Sequence, residues 1–200
     1  MKTQIRSQAS TCIITRTAAL LALALFLAGC VVTSVYPFYT DKDLVSNPVL
    51  PGKWVDADAT NPPSEYAQIK PLDGKGYWVT LVGAQETNSM EAHLFRLKQQ
   101  LFLDTFPTNR SLDYVPTHQV SKVLQIVPRL ETADLNYDWL SHLLEKHPKA
   151  IRHLVLPEKP GEEGGRIVLT ADTKELQRFL LKYVNNTNAW NNPSHYKRLD

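Results

Sequence analysis

The chain has 200 residues, 43% of them apolar, with 22 Lys+Arg against 20 Asp+Glu. That apolar content excludes a disordered chain, and no Gly-rich, Gln-rich or heptad bias points to collagen, prion-like tracts or coiled coils. The length suits one domain, and the net charge of +2 has to be located before it speaks for nucleic acid.

The first segment holds the charge. Lys2, Arg6 and Arg16 stand in residues 1–17 without an acidic residue, and residues 18–28 form an unbroken apolar run of 11. A basic n-region, a short h-region and small residues before a processing point describe an export signal. The run is too short for a spanning helix, which takes roughly 20 apolar residues. An uncleaved anchor or an ordinary signal remains the alternative.

The sequence Leu27-Ala28-Gly29-Cys30 closes that run. It resembles the lipobox of bacterial lipoproteins. The resemblance implies that the Cys30 thiol receives a diacylglyceryl group and that signal peptidase II cuts before it. The new amino terminus then takes a further acyl chain such as palmitate. Residues 1–29 are thus expected to leave as a signal peptide, with Leu27, Ala28 and Gly29 as the recognition residues. Val31 follows the cysteine in place of Asp. By the sorting rule of enteric bacteria this favours the outer membrane, if the source has one.

Processing changes the arithmetic. It would leave 171 residues with 19 Lys+Arg against 20 Asp+Glu. Cys12 would leave with the signal and Cys30 would be consumed by lipid, so no disulfide, thiol nucleophile or cysteine metal site is expected. A balance near −1 offers no phosphate-tracking surface, and no nucleic-acid partner is expected.

Residues 30–40 then form a short lipidated tether, with Tyr36, Phe38 and Tyr39 expected to pack on the domain. Thr40 and Asp43 suit a capped short turn. Strands are predicted at residues 53–56, 66–70, 77–81, 91–97, 100–105 and 119–127, separated by Gly-, Pro- and Asn-rich turns. Spacing this short favours antiparallel pairing. Asn136 suits an N-cap, Trp139, Leu140, Leu143 and Leu144 form one helical stripe, and His147-Pro148 ends it. Two more strands are predicted at 151–156 and 166–170. Asp172 to Glu175 opens a second helix with Leu176, Phe179, Leu180 and Tyr183 on one face. Residues 187–200 show no period and are expected to be a loose or draped end. The expected architecture is one α+β domain over residues 41–200. It is an antiparallel, strongly curved sheet or a small lipocalin-like β-barrel, flanked by two C-terminal amphipathic helices.

Two further resemblances concern the domain. Gly52-Lys53-Trp54 at the first strand resembles the Gly-x-Trp signature of lipocalins, in which the Trp plugs one barrel end; that makes Trp54 a candidate ligand or barrel-end residue. The helix after Asn136 departs from the lipocalin order. Tyr36-Pro37-Phe38-Tyr39-Thr40 and Leu101-Phe102-Leu103-Asp104 look like stretches of small uncharacterised bacterial lipoproteins. That resemblance implies an envelope location and no known activity.

The chemistry-bearing residues are sparse. The histidines lack His-Glu-x-x-His or any ligand spacing, so no metal is expected. No Gly-x-Ser-x-Gly elbow, phosphate loop or dinucleotide fingerprint occurs, and no cofactor is implied. Glu91 and His93 share a strand face, Asp104 can lie opposite, and His118 opens a later strand; these four are the acid/base candidates. Alternating polar positions on a half-exposed sheet give the same pattern. Lys146, Lys149 and Arg152 form a basic cluster that suits a helix C-terminus. The expected function is a non-catalytic, membrane-anchored envelope lipoprotein that binds a protein partner or supports an envelope assembly. The alternative is a carrier of a small apolar ligand in the barrel, and an enzyme on the four polar residues is the third reading.

Overall fold

The structure is a computed structural model that describes residues 31–59, 63–108, 117–156 and 165–199. Leu27, Ala28, Gly29 and Cys30 lie outside the described residues, as do most of the turn at 61–63 and the loops at 109–116 and 157–164.

Among the described residues, eight antiparallel strands close a barrel. They are β2 (Gly52–Asp56), β3 (Tyr66–Pro71), β4 (Gly76–Val82), β5 (Thr87–Leu97), β6 (Gln100–Pro107), β7 (Gln119–Gln125), β8 (Leu130–Asp134) and β11 (Ser194–Leu199). A second sheet stands apart, with β1 (Val31–Ser34) parallel to β10 (Arg166–Leu169), which pairs antiparallel with β9 (His153–Leu156). Two helices, α1 (Tyr137–Lys146) and α2 (Thr173–Tyr183), complete the α+β architecture. The expected choice between a strongly curved open sheet and a barrel falls to the closed barrel.

The sequence builds these elements locally. β5 and β6 form a hairpin in which Leu97 pairs with Gln100 and Lys98 takes φ +54° at the turn. The Asn136 side chain accepts the Trp139 N–H at 2.8 Å, and Asp172 accepts that of Glu175 at 3.0 Å. Both caps satisfy amides that a helix start leaves unpaired. Thr40 and Asp43 close a hydrogen-bonded turn, though no helix follows.

Strand alternation sorts the apolar side chains into two cores. Trp54, Tyr77, Val79, Ala92, Leu94, Val123 and Leu130 belong to one cluster inside the barrel. Phe95, Phe102, Val120, Ala133 and Leu135 leave the opposite face of those strands. They meet Leu140 and Leu144 of α1, Leu176, Phe179 and Leu180 of α2, and Val32, Ile167 and Leu169 of the small sheet. Central strands therefore bury both faces, as Leu94 at 1% and Phe95 at 0% exposure show.

Three strands escaped the sequence reading. Residues 187–200 are not a loose end: Trp190 is buried, its indole N–H donates to the Tyr183 carbonyl at 3.2 Å, and β11 joins β2 to β8. The reason is composition, because His195, Lys197 and Arg198 face outward or sit at the rim and mask any apolar alternation. β8 has no counterpart among the predicted strands: the strand predicted at 119–127 ends before it, and residues 126–129 divide β7 from β8. β1 lies within the segment expected to be a tether, so Val31, the residue after Cys30, is already part of a sheet. Of the aromatics there, Phe38 is fully buried, Tyr39 is half-buried and Tyr36 is exposed.

Candidate functional site

The four acid/base candidates converge on one patch of the barrel's outer wall. His93 on β5 pairs with Asp104 on β6, and Asp104 pairs with Val120 on β7, two residues beyond His118. Glu91 lies on the same face as His93 by strand alternation. All four point away from the barrel axis.

Asp104 is the centre of the patch, with no solvent exposure. Its Oδ1 lies 2.7 Å from His118 Nδ1, and its Oδ2 accepts the Phe38 backbone N–H at 3.0 Å. Burying a carboxylate costs several kcal/mol unless hydrogen bonds compensate it, and these two partners do so. His118 is placed twice over. Its backbone exchanges two hydrogen bonds with Ser34, each 2.8 Å, and its ring stacks on Phe106 at 4.8 Å.

His93 lies deeper. Its ring stacks on Tyr39 at 4.8 Å, and its buried Nδ1 has no hydrogen-bond partner among the described residues. Burial pushes its pKa below the usual histidine value, against the pull of Asp104 and Glu91. Gly76 makes the room, since a Cβ there would stand 3.0 Å from His93 Nε2. Burial, with Asp104 and Glu91 next, pushes the Tyr39 phenol up to about 12. The patch thus holds an imidazole whose charged form is disfavoured by burial, a phenol pushed well above its ordinary pKa and a buried carboxyl group with one hydrogen-bond partner on each oxygen. Phe38 and Tyr39 cover it.

Sequence reasoning missed that cover. No spacing links Phe38 to Asp104, which lie 66 residues apart. It also missed a polar set on the inner face, one row along from Asp104. There Ser121 Oγ donates to Asp134 Oδ1 at 2.5 Å, and Tyr196 lies close by. Burial raises the pKa of Asp134, opposed by the Ser121 hydrogen bond, and burial likewise raises that of Tyr196.

Trp54 is 2% exposed, and its indole N–H donates to the Leu50 carbonyl at 2.8 Å. It belongs with Leu50 to the inner core, against which Val49 packs. Lys146 and Lys149 line a surface groove of about 630 Å³ beside the end of α1, outside the barrel. Arg152 instead pairs with Glu175 at 2.9 Å and Asp172 at 3.4 Å. Among the described residues no group of three or more His, Cys, Asp or Glu is arranged to hold a metal ion, and no helix is long and apolar enough to cross a membrane.

Comparison with family models, with curated proteins and with solved structures finds no match for this chain.

Proposed function

We propose that the protein is a lipid-anchored bacterial envelope lipoprotein whose domain serves a binding or scaffolding role rather than catalysis. The observation that carries this reading is the position of β1. The residue after Cys30 already pairs in a sheet, Val31 with Arg166. A lipid on Cys30 would therefore hold the domain directly at a membrane, outside the cytoplasm, with the outer membrane favoured. The absence of catalysis is supported by the polar patch. Asp104 spends its hydrogen bonds on Phe38 and His118, and His93 has Tyr39 stacked over it.

A lipocalin-like carrier is the second reading, favoured by the closed barrel with Trp54 buried in its inner core. Against it, Tyr77, Val79, Leu94 and Val123 occupy the interior, so carriage would require repacking.

Intact mass and fractionation of the full chain expressed in a Gram-negative host test the reading. The expected product lacks residues 1–29, carries an acylated Cys30 and sediments with membranes. Cys30→Ala should abolish both acylation and membrane retention. A Cys30→Ala protein that stays membrane-bound at unchanged mass refutes it.

A further inference from the structure

The small sheet carries one covered face and one uncovered face. Paired residues of neighbouring strands share a face, so Val32, Ile167 and Val155 form one row and Thr33, Val168 and Leu154 the next. The row of Val32 turns inward, where Val32 and Ile167 are buried in the outer core. The rows of Thr33–Val168–Leu154 and Val31–Arg166–Leu156 turn outward. Leu154 is 57% exposed and Leu156 42% exposed. Val35, continuing β1 on the same side, is also exposed. β9 is the sheet's edge, so Val155 is exposed as well, even though it faces inward. Among the described residues no element packs over these aliphatic side chains, which is a costly way to leave apolar surface in water.

The chain itself says what lies beside this face. Val31, Arg166 and Leu156 form its terminal row, and Cys30 directly precedes Val31 in the sequence. Leu154 is level with Thr33, two residues from Val31 and so about 7 Å from that row at about 3.3 Å per residue. An apolar face this close to the lipid attachment point is within reach of the interface, where amphipathic elements bury their apolar side by about 5–10 Å.

Resting on the lipoprotein reading above, we infer that the outer face of the β1–β10–β9 sheet lies in the interfacial region of the bilayer that holds the Cys30 lipid. The acyl chains anchor the protein, and the sheet face fixes its orientation. The barrel is thereby held to one side of the anchor, with a defined surface toward the membrane.

The expected mature chain has no free thiol, which permits a direct test. Leu154→Cys and, as a control on the barrel wall, Lys70→Cys are introduced into the full chain. The membrane-extracted proteins are labelled with an environment-sensitive fluorophore and reconstituted into phosphatidylethanolamine–phosphatidylglycerol vesicles. Both proteins should float with the vesicles. The label at 154 should emit to the blue of the label at 70 and resist iodide quenching, unchanged on dilution into excess lipid. Flotation with a water-like label at 154 overturns the inference and leaves the anchor intact. A blue shift that disappears on dilution reports a second copy of the chain and overturns it too. Failure to float, with Cys30 unacylated, removes the lipoprotein reading and this inference together.

Discussion

Replacing Asp104 by Ala removes a carboxylate with no solvent exposure and two hydrogen-bond partners. Hydrogen bonds to a charged acceptor contribute about 1.5–3 kcal/mol each, and a buried donor left without an acceptor costs about 1–3 kcal/mol. Relief of the carboxylate's own desolvation offsets part of that. The expected net loss is about 3–5 kcal/mol, the scale found when one member of a buried pair is removed. For a domain of this size that lowers Tm by roughly 6–20 °C, at about 2–4 °C per kcal/mol. Asp104→Asn keeps the shape and one acceptor, so it should lose about 1.5–3 kcal/mol. Urea titration followed by circular dichroism measures both values. Amide exchange locates the effect: loss of the carboxylate should speed exchange at the Phe38 amide by about 10–150-fold, at tenfold per 1.4 kcal/mol. Unchanged protection at Phe38 in a destabilised Ala variant would refute the clamp, since the segment would then be held by the packing of the Phe38 ring alone.

Other substitutions probe the two cores and the buried titratable groups. Trp54→Ala should cost about 3–5 kcal/mol through the cavity it leaves; a loss below about 1 kcal/mol in the same titration would show that Trp54 is not a packed member of the inner core. The His93 pKa is depressed in the fold by burial. Its contribution is therefore complete above about pH 6.5 and is lost as pH falls through the folded value. A plot of Tm against pH should flatten below about pH 6.5 in His93→Gln relative to the parent; parallel curves count against the buried neutral imidazole. Asp134 has the opposite sign. Its raised pKa means that the fold favours the protonated form, so its contribution is present below about pH 3.9 and lost as pH rises through the folded value. Asp134→Asn, which can still accept from Ser121, should raise Tm at pH 7 and leave it unchanged near pH 3; a lower Tm at pH 7 excludes this account.

The barrel wall was largely legible in the sequence because its strands alternate in a chain with short turns. β4, β5 and β6 read clearly, since Tyr77, Val79, Leu94 and Phe102 mark their faces. The helices read well for a similar reason, with Asn136 and Asp172 standing as caps before clean apolar stripes. What escaped was everything that depends on a distant partner. β11 has Tyr196 as its main inward apolar side chain and becomes a strand only because β2 and β8 offer it two edges. β1 hides at the end of the apolar stretch that reads as an export signal in the sequence. In the polar patch, strand parity placed Glu91 and His93 together. The partners that decide its chemistry, Phe38 and Tyr39, arrive from the start of the domain.

The seam between β2 and β11 joins Asp56 to Tyr196, residues that are among the most distant partners in the chain. Closing so long a loop is entropically slow, and contacts between remote segments dominate the time a domain takes to fold. Until the seam forms, β2 and β8 present bare edges that invite pairing with other chains. A protein built this way is most vulnerable in the interval between release of the unfolded chain and docking of its final strand. Factors that cover bare strand edges should matter more to its yield than the stability of the finished barrel.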